Sequence, residues 1–380
     1  MSKSLQEIRD ALDEVDQRIV DALAVRHELI TLVPEARQEP AAETARDEIR
    51  EHEILARVEA QARQAGLDPD YVASLFHEII QHSVDWQSRN AAGKEADDDP
   101  GVPLQVGYQG GAGAYSHLAA SQHFGDRSID CRGYRNFREL ANGVERGKLD
   151  YAMLPVENTT AGSINEAYDV LAQADVAAVG EEIFRVKHCL VALEPIPVAK
   201  VRRIASHPQA LAQCSEFLAT LGECQIESYT DTAMAVGKVV RDGDPEQAAI
   251  ASREAARRHG LEVLKSRIAN QSENYTRFLV IAREPQPCAS DVPSKTSLVL
   301  ATQHKKAALA TCLNVLAAHD LNLTKLESRP VRNTPWEYLF YIDFEGNLAD
   351  HGTSAALTEL ESHTSYLKIL GSYPVSRSSA

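Results

Sequence analysis

The chain has little with which to cross-link itself, cross a membrane or hold a polyanion. Its 380 residues include six cysteines, at positions 131, 189, 214, 224, 288 and 312, and no two form a Cys-x-x-Cys pair. Neither a disulfide framework nor a zinc site is implied, and scattered thiols fit a reduced, cytoplasmic compartment. Long apolar runs are missing too. Stretches such as Leu298–Ala301 fall far short of the roughly 18 residues that a membrane span needs. The opening residues Met1–Arg9 carry no apolar signal region. Basic charge is in deficit: 39 Lys and Arg face 55 Asp and Glu, a net of −16. Most of that excess sits in Met1–Asp99, where 11 basic residues face 23 acidic ones, a net of −12. Such a field repels nucleic acid and anionic lipid, so neither is expected as a partner. An anionic substrate has to be caught by a few placed arginines or by helix N-termini. The remainder is ordinary: 44% hydrophobic and 25% charged residues make a globular composition. At about 150 residues per domain, the length suggests two or three domains.

Three segments follow from the patterning. In the first, Gly66 is the sole glycine between Ser4 and Asn90. Leu5, Ile8, Leu12, Val15, Ile19, Leu23 and Ile30 follow steps of three and four, which predicts one long helix. A second helix is expected over about 44–64, closed by Gly66, and a third from Asp68 and Pro69 to about Arg89. One long and two shorter amphipathic helices leave apolar stripes that an intertwined homodimer would bury. The polar stretch Asn90–Gly101 reads as a linker. The second segment, Leu104 to about Arg283, alternates short strands with helices, which predicts α/β layers with largely parallel sheets, in one domain or two lobes. Ligands of such sheets sit outside the carboxyl ends of the strands. After a second linker at Glu284-Pro-Gln-Pro, residues 296–374 read strand, helix, strand, strand, helix, strand. That is the ferredoxin-like βαββαβ order.

Polar residues stand on helix faces that a bundle should bury. Arg26 and Arg37, 11 positions apart, point within about 20° of each other on an α-helix, and Arg9 is available to a partner chain. Asp47, Arg50 and Glu51 form an i, i+3, i+4 set, and Ser83 and Gln87 an i, i+4 pair. Solvated ion pairs are the plain reading; a bundle interior lined with arginines suits a small dianion. In the second segment, Ser163-x-x-Glu166 and Ser206-x-x-Gln209 have the capping-box pattern, with Pro208 suited to an early helical position. Helix N-termini converging at strand ends would offer N–H groups to a dicarboxylate, and Asn158 and Gln213 add neutral donors.

Arg9, Arg26, Arg46-Asp-x-x-Arg50-Glu51 and Ser83 with Gln87 resemble the helical chorismate mutase that opens the bifunctional chorismate mutase–prephenate dehydratases. By that resemblance Arg9 (in trans), Arg26 and Arg50 grip the substrate carboxylates, Asp47 and Glu51 the hydroxyl side, and Gln87 the ether oxygen. Where the family has Gly-Lys-x-Lys, this chain has Pro34-Glu-Ala-Arg37, so arginine replaces the lysine beside the ether oxygen. Gly113-Ala-Tyr-Ser-His117, Pro155-Val-Glu-Asn-Thr-Thr-Ala-Gly-Ser163, Ser206-His-Pro-Gln-Ala-Leu-Ala-Gln-Cys214 and Asn274-Tyr-Thr-Arg-Phe278 are similar to prephenate dehydratase throughout. The resemblance places Thr276 at the leaving hydroxyl, with Asn158 and Glu157 beside it. Gln213 and Ser206 complete the catalytic set, and Ser116, Thr159, Ser163 and His207 bind substrate. Glu327-Ser328-Arg329-Pro330 matches a motif of the ACT regulatory domain, and Ala307-Ala308-Leu309-Ala310 stands where that domain has Gly-Ala-Leu-Val. Phenylalanine would bind there between two copies.

The resemblance thus implies a multidomain chain in three parts. Residues 1–92 would be an all-α dimeric chorismate mutase, and 103–284 a two-lobed α/β, periplasmic-binding-protein-like dehydratase. Residues 295–376 would be a ferredoxin-like ACT domain. It implies a cytoplasmic homodimer or higher oligomer that converts chorismate to prephenate and prephenate to phenylpyruvate without metal or cofactor, with phenylalanine as effector. The alternatives are a dehydratase whose helical segment only dimerises, and a non-catalytic solute receptor.

Overall fold

The structure, a computed structural model, describes residues 5–32, 48–69, 71–77, 79–80, 83, 102–125, 127–289, 292–331, 334 and 336–376. The chain divides into two compact units, Met1–Pro100 and Gly101–Ala380. In the first, α1 (Leu5–Thr31) is the long helix that the apolar steps predict, and α2 spans Glu48–Gln64. Gly66, at φ +72°, closes α2, and the Leu67 N–H donates to the Ala62 carbonyl at 2.9 Å, the hydrogen bonding of a glycine C-cap. Residues 71–77 and 79–80 are again helical. Val58, Ala62 and Ile80 are buried, whereas Leu12, Val15, Ile19 and Leu23 along α1 remain 41–57% exposed. Among the described residues no helix is long and apolar enough to cross a membrane.

The second unit opens with β1 (Leu104–Gln109), α3 (Tyr115–Phe124), β2 (Ile129–Tyr134), α4 (Phe137–Glu145), β3 (Tyr151–Asn158), β4 (Gly162–Ser163), α5 (Asn165–Gln173) and β5 (Ala177–Arg185). The chain then crosses to a second lobe: β6 (Cys189–Ala192), β7 (Arg203–Ser206), α6 (Pro208–Gln213), α7 (Ser215–Ala219), β8 (Gln225–Ser228), α8 (Thr232–Asp242), β9 (Gln247–Ala251), α9 (Arg253–Arg258) and β10 (Glu262–Ser266). It returns through β11 (Tyr275–Ala282). The first sheet runs β2-β1-β3-β11-β5, with β4 on β3, and the second β10-β6-β9-β7-β8. Two lobes are therefore present. The expected largely parallel sheets are not: β1 pairs in parallel with β2 and β3, but β11 lies antiparallel between β3 and β5. In the second sheet β7 is parallel to β8 and β9, while β6 is antiparallel to β9 and β10. The cause is the double crossing, since the returning strand enters its home sheet from the opposite end.

The capping boxes also differ from expectation. Ser206 is fully buried and its hydroxyl donates to the Ile250 carbonyl at 2.6 Å; the cap of α6 is His207, whose Nδ1 accepts from Gln209 N–H, with Pro208 at the first position. Ser163 lies in β4, and Ile164 precedes α5 without a side-chain cap.

The last part reads β12 (Ser294–Thr302), α10 (Ala308–Ala318), β13 (Leu323–Pro330), β14 (Tyr338–Glu345), α11 (His351–His363) and β15 (Thr364–Pro374), in an antiparallel sheet of order β13-β14-β12-β15. This is the ferredoxin-like arrangement, two interleaved βαβ units. One sheet face packs Leu298, Leu300, Ile342 and Phe344 against Cys312, Val315 and Leu316 of α10 and Leu357 and Leu360 of α11. On the other, Val299, Tyr341, Leu370 and Tyr373 join the core of the first lobe with Leu140, Val144, Tyr168 and Leu171. Each such side chain stabilises the docking by about 1.5–3 kcal/mol, so the second and third segments form one unit. Gly371, at φ +146°, permits the contact: a Cβ there would stand 2.2 Å from the Ala178 carbonyl oxygen.

Candidate active site

The first lobe meets the second at the ends of β3 and β11. Thr276 and Asn158 are register partners on these strands, and both are buried. Asn158 Nδ2 donates to Thr276 Oγ1 at 3.0 Å, to the Asn274 side-chain oxygen at 2.7 Å and to the Tyr275 carbonyl at 3.0 Å. Its Oδ1 accepts from the backbone N–H of Thr160 and Ala161 at 3.0 and 2.9 Å. From the second lobe, Gln213 at the end of α6 donates to Asn158 Oδ1 at 3.1 Å and also to the Thr160 hydroxyl. Three of the expected residues, from three separated motifs, are thus hydrogen-bonded together. Thr276 Oγ1 accepts one bond, and its own proton has no protein acceptor among the described residues.

Other expected residues are placed differently. Thr159 braces the entry to β11, accepting from Tyr275 N–H at 2.9 Å and donating to the Glu273 carbonyl at 3.4 Å. Ser116 is buried in the first turn of α3, whose start has no side-chain cap, and His207 is exposed. Ser206, fully buried, spends its hydroxyl on the Ile250 carbonyl of its own sheet. Glu157 is not beside Thr276 either. Successive strand residues face opposite ways, so Glu157 and its register partner Arg277 turn toward the ferredoxin-like part. There Glu157 pairs with Lys325 at 3.0 Å, and Lys325 also donates to Ser163 at 3.0 Å. Ser163 in turn bonds Glu327, and Arg329 pairs with Asp169 at 3.2 Å. Glu327 and Arg329, expected to shape an effector pocket, therefore hold β4 and α5 of the first lobe, as does Ser163, which was expected to face substrate.

Arg277 anchors the same interface. Its Nε donates to Glu181 at 2.7 Å, Nη1 to Asp343 and Nη2 to the Tyr373 hydroxyl at 2.9 Å. Lys295 reaches Glu181 at 2.9 Å, and Ser297 bonds Asp343. Burial pulls the Arg277 pKa down, but Asp343, Tyr373 and Glu181 together raise it well above its usual value.

In the helical unit, Arg26 donates to the Ser83 hydroxyl and, at 3.4 Å, to the Ile79 carbonyl, so these two expected residues meet. Arg50 pairs with Glu53 at 2.9 Å, and Arg9 is exposed. Arg37, Asp47 and Gln87 lie outside the described residues, Pro34 likewise, and Glu51 is described in its backbone alone. Ala307 caps α10 at φ +59°, with Ala308 buried, Leu309 partly buried and Ala310 exposed. Ser328 and Pro330 lie in β13.

Comparison with known proteins gives this geometry its chemistry. The chorismate mutase type II family matches residues 8–88, and the prephenate dehydratase family residues 106–286. The bifunctional chorismate mutase/prephenate dehydratase of Enterobacter agglomerans is 37% identical over 371 residues, 97% of this chain and 95% of its own. The chain belongs to the bifunctional chorismate mutase/prephenate dehydratase family. It is an enzyme with both activities, and takes chorismate to prephenate and prephenate to phenylpyruvate. Among solved structures, that of a prephenate dehydratase from Arthrobacter aurescens in complex with L-Phe is similar: 26% identity, TM-score 0.66, over 72% of this chain and 90% of that one. A structure described as GqqA, a quorum quenching acylase, is 32% identical, with TM-score 0.65, over 72% and 98%.

Two groups in the dehydratase escaped the sequence reading. His188, between β5 and β6, is 2% exposed, and its Nε2 meets the Gln213 side-chain oxygen at 2.8 Å while Nδ1 meets the Tyr115 hydroxyl at 2.9 Å. Burial lowers the His188 pKa and holds that of Tyr115 well above its usual value. Their sequence signal is thin: a lone polar residue opening an apolar strand, and a tyrosine at a helix start.

Proposed function

We propose that prephenate binds where the lobes meet, against Thr276, Asn158 and Gln213. Decarboxylation breaks the bond from the ring to its carboxylate, and the electron pair moves through the ring to expel the hydroxyl opposite. With one proton delivered to that hydroxyl, the products are phenylpyruvate, CO2 and water. The Asn158–Thr276 bond carries the reading. Asn158 fills the acceptor side of the Thr276 hydroxyl and leaves its proton to the departing oxygen, with solvent resupplying it. Such assistance is worth about 10²–10⁴ in rate. Neutral donors suit the task, because a cation on the departing carboxylate would stabilise the ground state more than the transition state. Replacing Asn158 with alanine should lower kcat for prephenate at least about 30-fold; a wild-type kcat would remove this assignment.

For the mutase, Arg26 with Ser83 supports the family's site, in which Arg9 of a second copy, Arg26 and Arg50 hold the carboxylates. Asp47, Glu51 and Gln87 serve the rest, and Arg37 stands at the ether oxygen. The rearrangement needs no nucleophile, only a compact conformer and countercharge. The exposed stripe Leu12–Leu23 of α1 is the surface that a homodimer would cover. The ferredoxin-like part is read as an ACT domain that senses phenylalanine at Ala307–Ala310 with Ser328 and Pro330 of β13, while Glu327 and Arg329 tie that strand to the first lobe. The L-Phe complex of the Arthrobacter relative supports this, and the Lys325–Glu157 pair offers a route to β3. Six free thiols support a cytoplasmic setting.

A further inference from the structure

His188 stands beside the dehydratase site, buried and bonded at both ring nitrogens, and the chemistry above makes no use of it. Its protonation can be read outward from two backbone groups. The N–H groups of Thr160 and Ala161 only donate, so the Asn158 atom they meet at 3.0 and 2.9 Å is oxygen. The other Asn158 atom, facing Thr276, is then nitrogen. Gln213 has to direct its NH2 at the Asn158 oxygen, 3.1 Å away, and its own oxygen at His188, 2.8 Å away. An amide oxygen only accepts, so the ring proton of His188 is on Nε2, and its Nδ1 faces the Tyr115 hydroxyl as an acceptor at 2.9 Å, sharing that single proton with the Lys187 carbonyl at 3.0 Å. Burial disfavours the charged ring, and the Gln213 oxygen sets which neutral tautomer is present. Each proton along His188–Gln213–Asn158–Thr276 is assigned in this way, and the last is the one left for the substrate.

We propose that His188 is a positioning residue of the dehydratase: its Nε2–H locks the Gln213 amide in the orientation that donates to Asn158. Without that donor the Gln213 amide keeps its donations to Asn158 and the Thr160 hydroxyl but loses the bond that fixes its oxygen, and turns over more easily. Its oxygen would then face the Asn158 oxygen, and the repulsion would release Asn158 from its hold on Thr276. The inference rests on the reading of Thr276, Asn158 and Gln213 as the reacting site.

Two substitutions in the full chain test it. In His188→Gln the terminal amide nitrogen lies where Nε2 was and still donates to Gln213. In His188→Asn the shorter amide reaches the Nδ1 position only. The asparagine variant should lose about tenfold in dehydratase kcat, the net worth of one hydrogen bond, with KM within about twofold. The glutamine variant should recover most of the loss, and both should keep the mutase rate and a cooperative unfolding of the larger unit. Wild-type kcat in His188→Asn, equal damage in both variants, or a loss confined to KM would overturn the proposal. Thr276→Ala, measured alongside, separates the layers. If it keeps full kcat, the reading of the site falls. If it loses activity while His188→Asn does not, the positioning role alone falls.

Discussion

Replacing Arg277 with methionine, which keeps length and bulk but removes the charge, should destabilise the larger unit by about 3–5 kcal/mol, the usual cost of breaking a buried ion pair. The geometry says where the cost arises. Glu181 would keep Lys295 at 2.9 Å and the Ser376 N–H at 2.9 Å. Asp343, whose side chain is 11% exposed, would keep, among the described residues, the Ser297 hydroxyl alone and become an uncompensated buried charge. Removing that charge as well, in Arg277→Met with Asp343→Asn, should return at least about 1 kcal/mol. Urea unfolding, analysed as midpoint times slope, reads both variants. A stability loss below about 1 kcal/mol in the single variant, or strictly additive losses in the double, would refute the view that this pair welds the ferredoxin-like part to β11.

Two further outcomes follow from local geometry. Ala307→Gly relieves a left-handed backbone at φ +59° and should stabilise the ferredoxin-like part by about 0.5–1 kcal/mol net of glycine's added freedom in the unfolded chain; a lower melting temperature would contradict it. It should also tighten phenylalanine binding in a calorimetric titration. His117 and His188 have pKa values lowered by burial, which favours the neutral ring in the folded state. Their contribution to stability is complete above the unfolded histidine value of about 6.5 and falls as pH drops through their lower folded values, by about 1.4 kcal/mol per unit of depression. The melting temperature should therefore decline from pH 7 toward 5, with a shallower slope in His188→Gln; a flat profile would count against burial as the cause.

Much of the architecture was legible because it is local. The three- and four-residue steps of Leu5–Ile30 specify α1, Gly66 closes α2, and the strand and helix order after Ser294 admits one common topology. Thr276, Asn158 and Gln213 came together because motif resemblance carries site chemistry across long separations. What was missed depends on partners that no local pattern names. Glu157 and Ser163 face Lys325 and Glu327, more than 160 positions away, and alternation along β3 excludes Glu157 from the face of Asn158 but does not say what it meets. The sheet directions turned on β11, whose place between β3 and β5 is set by the return from the second lobe. His188 has no sequence signal beyond a lone polar residue opening an apolar strand, and the amide orientations around it reveal its role.

The central claim, two reactions in one chain with the second dependent on the Thr276 hydroxyl, is tested most directly by feeding chorismate to wild type and to Thr276→Ala and following prephenate and phenylpyruvate together. Wild type should pass prephenate on to phenylpyruvate. The variant should form prephenate at the wild-type rate and accumulate it, with phenylpyruvate formation slowed at least about 100-fold. Phenylpyruvate at the wild-type rate in Thr276→Ala would contradict the account.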